Sequence, residues 1–283
     1  MRIAVASGKG GTGKTTVATN LAAALGHVGR PVVYADCDVE EPNGHLFLNV
    51  RPEERREVSV SVPEVLTERC TGCGECADVC EFNAIAMLGP QPTVFPSLCH
   101  SCGACIELCP ESALVDKPRP VGYIRSGDAA PVDFVGGCLN VGEHQAPPVT
   151  KAVLQSLPGD RIMIVDAPPG TSCPVIESVR EADYVVLVTE PTPFGLNDLS
   201  LACDMLLMLG RPFGVVINRA EPGENPVRTY CEQHRIPILL EIPFDRSIAE
   251  TYAVGQLRVD VDPAFEQRML DLYRSIEERR QHA

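Results

Sequence analysis

The run Gly8-Lys9-Gly10-Gly11-Thr12-Gly13-Lys14-Thr15, closed by Thr16, fits the pattern G-x-x-x-x-G-K-S/T. Glycines at these places let successive backbone N–H groups turn inward onto phosphate oxygens. Lys14 then supplies a cation to the β- and γ-phosphates, and the Thr15 hydroxyl can coordinate Mg2+. A helix opening directly after the loop adds its positive N-terminal end. The second constellation is made of thiols. Eight of the thirteen cysteines fall into two runs, Cys70, Cys73, Cys76, Cys80 and Cys99, Cys102, Cys105, Cys109, each spaced C-x2-C-x2-C-x3-C. Three thiolates so close together can wrap three corners of an iron–sulfur cubane, while the fourth, after a longer gap, reaches a second one. Structural zinc is the alternative, but zinc usually takes separated C-x2-C pairs.

Both cysteine runs have the spacing of bacterial two-cluster ferredoxins. On that spacing, Cys70, Cys73, Cys76 and Cys109 are expected to bind one 4Fe–4S cluster, and Cys99, Cys102, Cys105 and Cys80 the other. Pro110 follows the second run, whereas Glu81 stands in that place after the first. His100 lies between two ligands and reads as a solvated loop residue. Cys37, Cys203 and Cys231 occupy core-like positions and read as buried thiols.

The elements that must carry these groups alternate in type. An apolar strand at 1–6 leads into the phosphate loop, and Ala18, Leu21, Ala22 and Leu25 mark a helix over 15–26. Gly26, Gly29 and Pro31 end it before a second strand at 32–35. This βαβ start implies a parallel sheet with a right-handed crossover. Further strands are expected at 162–165, 184–188 and 213–217, with Asn197 capping a helix that Gly210 stops. Asp262-Pro263 opens a last helix whose Phe265, Met269, Leu272, Tyr273 and Ile276 form one apolar face.

The loop with its second lysine, KGGTGKTT, resembles the deviant Walker A motif of the MinD/ParA/Mrp/nitrogenase-iron-protein class of P-loop ATPases. In that class the early lysine, here Lys9, reaches the nucleotide of a partner subunit, so the resemblance implies an ATP-sandwich homodimer, or a heterodimer with a related ATPase. It also implies that Asp38 orients the attacking water and that Asp36 stands on the metal side. Asp166, in Asp166-Ala167-Pro168-Pro169-Gly170, matches the family's Walker B acid and switch II, with Thr15, Asp36 and Asp166 around Mg2+. Asn218 matches the reader of the adenine amine, and Pro243-Phe244-Asp245 the loop framing the base. Cys173, seven residues after Asp166, is similarly placed to a switch II cysteine of the nitrogenase iron protein that helps bind a cluster bridging two subunits. Cys138 could be its mate in a third 4Fe–4S cluster; the other reading is two ordinary thiols.

The fold class expected is therefore α/β: a P-loop ATPase domain with a mainly parallel sheet flanked by helices, over 1–62 and 118–283. A small two-cluster ferredoxin-like domain is inserted at 63–117, with 117–120 (Lys-Pro-Arg-Pro) as linker. The insert has eight acidic and two basic side chains and so carries −6 of the chain's net charge of −14. With 38 acidic against 24 basic residues, the 283-residue chain is a poor ligand for phosphate backbones, and no nucleic-acid partner is expected. Its 45% apolar content suits a packed core and excludes intrinsic disorder. No uncharged apolar stretch approaches the roughly 18 residues of a membrane span. The start MRIAVASGKG has neither h-region nor cleavage site, so a cytoplasmic location without membrane partner is expected.

The function expected is ATP hydrolysis that rearranges a dimer and gates electron transfer through the clusters to a redox partner. Assembly or delivery of a metal cluster to an accepting protein is the alternative. A positioning or partition ATPase is a third, less favoured because the tail at 275–283 has mixed charge and few apolar residues.

Overall fold

The computed structural model describes residues 1–50, 54–223 and 225–281. The last two residues of the 275–283 tail lie outside the described residues. Eleven strands are described: β1 (Arg2–Ser7), β2 (Val32–Asp36), β3 (Glu54–Val65), β4 (Ile85–Met87), β5 (Pro92–Val94), β6 (Leu114–Ala129), β7 (Val132–Leu139), β8 (Ile162–Pro169), β9 (Tyr184–Thr189), β10 (Phe213–Ala220) and β11 (Ile238–Pro243). The helices are α1 (Lys14–His27), α2 (Gly44–Leu48), α3 (Glu75–Asp78), α4 (Ala104–Glu107), α5 (Ala146–Gln155), α6 (Cys173–Val179), α7 (Pro193–Met208), α8 (Pro226–His234), α9 (Arg246–Ala253) and α10 (Pro263–Arg280).

Nine strands form one sheet in the order β11-β10-β9-β1-β8-β2-β7-β6-β3. From β11 to β7 every pairing is parallel; β7 with β6 and β6 with β3 are antiparallel. The central strands are buried along their length, as expected of parallel strands covered on both faces. One face, with Ile3, Val5, Tyr34 and Val186, packs against α1 and α10, including the expected stripe Phe265, Met269, Leu272, Tyr273 and Ile276. The other face, with Ala4, Val33 and Val185, packs against α5, α6, α7 and α8. Cys37, Cys203 and Cys231 are fully buried in this second core.

Two expectations change. Helix α7 starts a turn earlier than Asn197: Thr192 is its N-cap, with Oγ1 accepting from Gly195 N at 2.9 Å, and Pro193 takes the first helical position. Asn197 lies within the helix. The Lys117–Pro120 run is not a linker but part of β6, with Val62 opposite Lys117 and Ser59 opposite Pro120. Strand β6 pairs with β7 only from Gly122 onward. Its first half thus forms a two-stranded ribbon with β3 that has an open side, where prolines cost no ladder bond.

Residues 66–113 hang from the end of that ribbon and repeat themselves. In each half a short helix follows a glycine with positive φ, Gly74 at 87° and Gly103 at 78°. The halves also exchange their ends: Leu66 N donates to Ala113 O at 2.7 Å, and Phe95 N to Ala84 O at 2.8 Å. This pairing brings the last cysteine of each run toward the other run.

Candidate functional site: a phosphate loop and two thiol cages

The phosphate loop leaves β1 and enters α1. Gly13, at φ 91°, must be glycine twice over, because a Cβ there would lie 2.2 Å from Asn218 Nδ2. Lys14 is buried, with Nζ 3.0 Å from Asp166 Oδ1 and 3.6 Å from Asp38 Oδ2. The sheet creates this convergence: β2 and β8 are neighbours with Asp36 directly beside Asp166, so both carboxylates emerge at the same strand ends.

Each acid is held. Asp166 Oδ2 accepts from the Tyr34 hydroxyl at 2.8 Å. Asp36 Oδ2 accepts from Gly44 N at 2.9 Å, and its Oδ1 from Asp38 N at 3.2 Å. Asp36 and Asp166 are both 0% exposed. Burial, then the neighbouring Asp166 charge, raises the Asp36 pKa. Asp38 is pushed up to about 6, mainly by burial, with Lys14 opposing. Burial alone would lower the Lys14 pKa, but the charges of Asp166, Asp38 and Asp36 outweigh it, so the ammonium stays charged.

In front of these groups lies a cavity of about 480 Å3. Gly10, Gly11, Gly13, Lys14, Thr15 and Thr16 form its loop side, Asp38, Glu41 and Asn43 a second wall, and Asn218, Pro243, Phe244 and Asp245 the far end with Ile248 and Tyr252. Gly8 and Thr12 pack behind the loop instead. A Cβ on Gly8 would meet the Asp198 carbonyl oxygen of α7 at 2.1 Å, and Thr12 O accepts from Asn218 Nδ2 at 2.8 Å. Asn218 Oδ1 accepts from Arg219 N at 3.0 Å and keeps a lone pair. Asp245 caps α9, accepting from Ser247 N at 2.8 Å. Lys9 Nζ is 3.7 Å from Glu190 Oε2. Tyr34, Glu41, Tyr252 and Glu190 were not singled out from the sequence. A tyrosine or glutamate carries no motif, and the partners of Tyr34 and Glu190, Asp166 and Arg219, lie 132 and 29 positions away.

The eight clustered thiols line two separate cavities. Cys70, Cys73, Cys76 and Cys109 surround one; Cys80, Cys99, Cys102 and Cys105 surround the other. Three sulfurs face backbone donors: Ala84 N lies 3.2 Å from Cys80 Sγ, Ser101 N 3.4 Å from Cys99 Sγ, and Ala113 N 3.3 Å from Cys109 Sγ. Among the described residues no group of three or more His, Cys, Asp or Glu side chains gathers on a point as a single-ion site. Burial, then the nearby Cys99 and Cys102, pushes the Cys105 thiol up to about 11. Four thiols around a cavity with N–H donors aimed at sulfur is the donor set that fits a 4Fe–4S cluster. His100 is exposed, as expected, and stacks on Phe82 at 3.8 Å between ring centroids.

Cys173 is exposed at the first position of α6, just past the Asp166 loop. Cys138 is half-buried near the end of β7, opposite Tyr123 of β6. Among the described residues no helix is long and apolar enough to cross a membrane.

Comparison with known proteins bears on both sites. The family model of the CobQ/CobB/MinD/ParA nucleotide-binding domain matches residues 3–259. An uncharacterised protein of Methanocaldococcus jannaschii is 32% identical over 98% of this chain and 97% of its own. The iron-sulfur cluster carrier protein of Pyrococcus horikoshii is 27% identical over 90% of this chain and 77% of its own. Among solved structures, the cell division ATPase MinD of Pyrococcus furiosus superposes with a TM-score of 0.61 at 22% identity, covering 98% of each chain.

Proposed function

The chain belongs to the CobQ/CobB/MinD/ParA nucleotide-binding family, and on that premise we propose that it is an ATP-hydrolysing iron–sulfur protein. In this reading ATP bridges and rearranges a dimer, and that rearrangement gates electron transfer through two 4Fe–4S clusters. The observation that carries the iron–sulfur half is the crossed sorting of the thiols, with Cys109 beside Cys70, Cys73 and Cys76, and Cys80 beside Cys99, Cys102 and Cys105.

The nucleotide chemistry follows from the loop and the acids behind it. The N–H groups of 10–16 cradle the phosphates, and Lys14 exchanges part of its contact with Asp166 and Asp38 for the β- and γ-phosphates. Thr15 would hold Mg2+, with Asp36 and Asp166 as the acids on its side of the site, and the ion would offset charge on the phosphates. Asp38, on the cavity wall, orients the attacking water, and Lys9 reaches the γ-phosphate of the partner subunit, adding charge where it develops in the transition state. Asn218 offers its free lone pair to the adenine amine, beside Pro243, Phe244 and Asp245.

When bound, the clusters supply one-electron chemistry at potentials tuned by hydrogen bonds to sulfur and by solvent exposure. The chain's own part is to hold the eight thiolates and to direct the amides of Ala84, Ser101 and Ala113 at three of them. A second reading, delivery of a cluster to an acceptor protein, is supported by the printed name of the Pyrococcus horikoshii relative. ATP turnover of the anaerobic protein, its clusters first reduced with dithionite and the excess removed, with an artificial electron acceptor or with an apo iron–sulfur acceptor protein, separates the two. Electron transfer leaves iron on the chain while the clusters are oxidised and the acceptor gains about one electron per cluster. Delivery moves iron to the acceptor and makes no ATP-dependent reduction.

A further inference from the structure

The insert and the nucleotide domain meet at a buried seam. Val39 follows Asp38 directly and is 2% exposed. It belongs to one packed group with Val60, Val62, Ala84, Val121 and Cys99, and Cys80 lies against that group. The backbone is fixed at the same point, Leu139 N donating to Val39 O at 2.8 Å. From the other side Gln145, at the N-terminus of α5, donates from Nε2 to the Cys99 carbonyl at 2.6 Å. Gly137 makes the close approach possible, since a Cβ there would lie 2.5 Å from Val39 Cγ1 and 2.9 Å from Val149 Cγ1.

Among the described residues, the packed group that holds Cys76 and Cys109 contains no residue of the nucleotide loop; it is drawn from positions 65 to 114 and takes in Cys105 and Cys80 of the cage at the seam. The two cages are therefore unequal: one packs directly against the seam behind the Asp36–Asp38 loop, and the other packs against that cage.

We propose that nucleotide acts on one cluster site, that of Cys80, Cys99, Cys102 and Cys105, and that Val39 and Gln145 are the positioning residues that connect it to the nucleotide loop. The inference rests on the iron–sulfur ATPase reading. A packed interior passes on a displacement instead of absorbing it. When Asp38 shifts on meeting the γ-phosphate, Val39 must shift with it, and Cys99 with its Gln145 bond lies next in line. Orientation of ligands and of the peptide groups around them is what tunes a cluster's potential. By linkage, reduction of this cluster and nucleotide binding then change each other's equilibrium by the same factor.

The test is a redox titration of the anaerobic, cluster-loaded full chain followed by EPR, without nucleotide, with ADP and with a slowly hydrolysed ATP analogue. Cys102→Ser and Cys73→Ser assign the two signals to their sites. The expected result is a shift of the Cys102-assigned signal by about tenfold in its reduction equilibrium, about 59 mV for one electron, with the Cys73-assigned signal, reached only through the cage at the seam, shifted by less than about twofold. Gln145→Leu and Val39→Ala should each reduce that shift at least threefold while iron content stays the same. Backbone hydrogen exchange gives a second readout: nucleotide should slow the amides of Ala84 and Ser101 but not that of Ala113. Equal shifts at both sites, a shift at the Cys73-assigned site alone, no shift at either, or a full shift in both variants would overturn the inference while leaving the ATPase reading intact. Zinc in place of reducible iron would overturn that reading as well.

Discussion

Lys9 and Glu190 form an ion pair within one chain, with Nζ 3.7 Å from Oε2. The other oxygen of Glu190 takes the guanidinium of Arg219, the residue after Asn218. One carboxylate thus holds both the lysine assigned to the partner's nucleotide and the loop assigned to the base. For Lys9 to cross a dimer interface it must leave Glu190. Glu190→Gln removes that competitor, a pair worth up to about 1 kcal/mol. Two such pairs break per dimer, up to about 2 kcal/mol together, so the variant should form the ATP-dependent dimer at a protein concentration up to about 30-fold lower, measured by analytical ultracentrifugation. Lys9→Ala should bind ATP yet lose ATP-dependent association; unchanged association would remove Lys9 from the interface.

Lys14 and Asp38 should separate binding from chemistry. Lys14→Ala deletes the cation that faces the phosphates and leaves Asp166 and Asp38 without their shared partner. Nucleotide affinity is expected to fall about 100-fold, about 2.8 kcal/mol, by calorimetric titration. Asp38→Asn keeps the shape of the cavity wall but weakens water orientation. It should lower kcat by about 100-fold or more with little change in ATP affinity, because an acid that orients water acts in the transition state. Equal losses in kcat and affinity would place Asp38 in ground-state binding.

The seam beside Cys99 carries a pH signature. Glu143 accepts from Arg119 Nη1, from His144 N at 2.9 Å and from Gln145 N at 3.1 Å. Burial pushes its pKa up, but the Arg119 bond and the two backbone N–H groups outweigh that and hold it below the ordinary glutamate value. A lowered native pKa contributes stability above the unfolded value, and that contribution is lost as pH falls through the native one. Glu143→Gln should therefore cost about 1.5–3 kcal/mol at pH 7, with the gap to the parent steady down to about pH 4.5 and narrowing below it. Urea unfolding at several pH values measures it; a gap independent of pH would assign the cost to shape and not to charge.

The readable parts of this fold were those whose signal is local. Strands β1, β2, β8, β9 and β10 are continuous apolar runs because helices cover both faces of a parallel sheet. The phosphate loop and the cysteine runs are set by spacing alone. The β3–β6 ribbon was opaque: its glutamates, arginines and prolines suit a strand pair with an open side, and the same residues suit a linker. Strand β7 hid behind Gly136-Gly137, small not to turn the chain but to admit Phe134 and Val39, whose atoms lie 2.7 Å and 2.5 Å from where each Cβ would be. In the site, the bond of Tyr34 to Asp166 spans 132 positions and that of Gln145 to Cys99 spans 46, beyond the reach of any local pattern. The start of α7 was legible in Thr192-Pro193, a cap followed by proline at the first helical position, but Asn197 offered a competing cap one turn later.

The central claim, two thiolate-held clusters in one nucleotide-binding chain, is tested most directly by iron and acid-labile sulfide analysis of the anaerobically purified protein, with EPR after reduction. The account predicts about eight irons and eight sulfides per chain, four of each for every cubane. It also predicts that Cys109→Ser damages the signal that Cys73→Ser damages, and Cys80→Ser the one that Cys102→Ser damages. Stoichiometric zinc with no reducible iron, or Cys109→Ser acting on the Cys102-assigned signal, would contradict it.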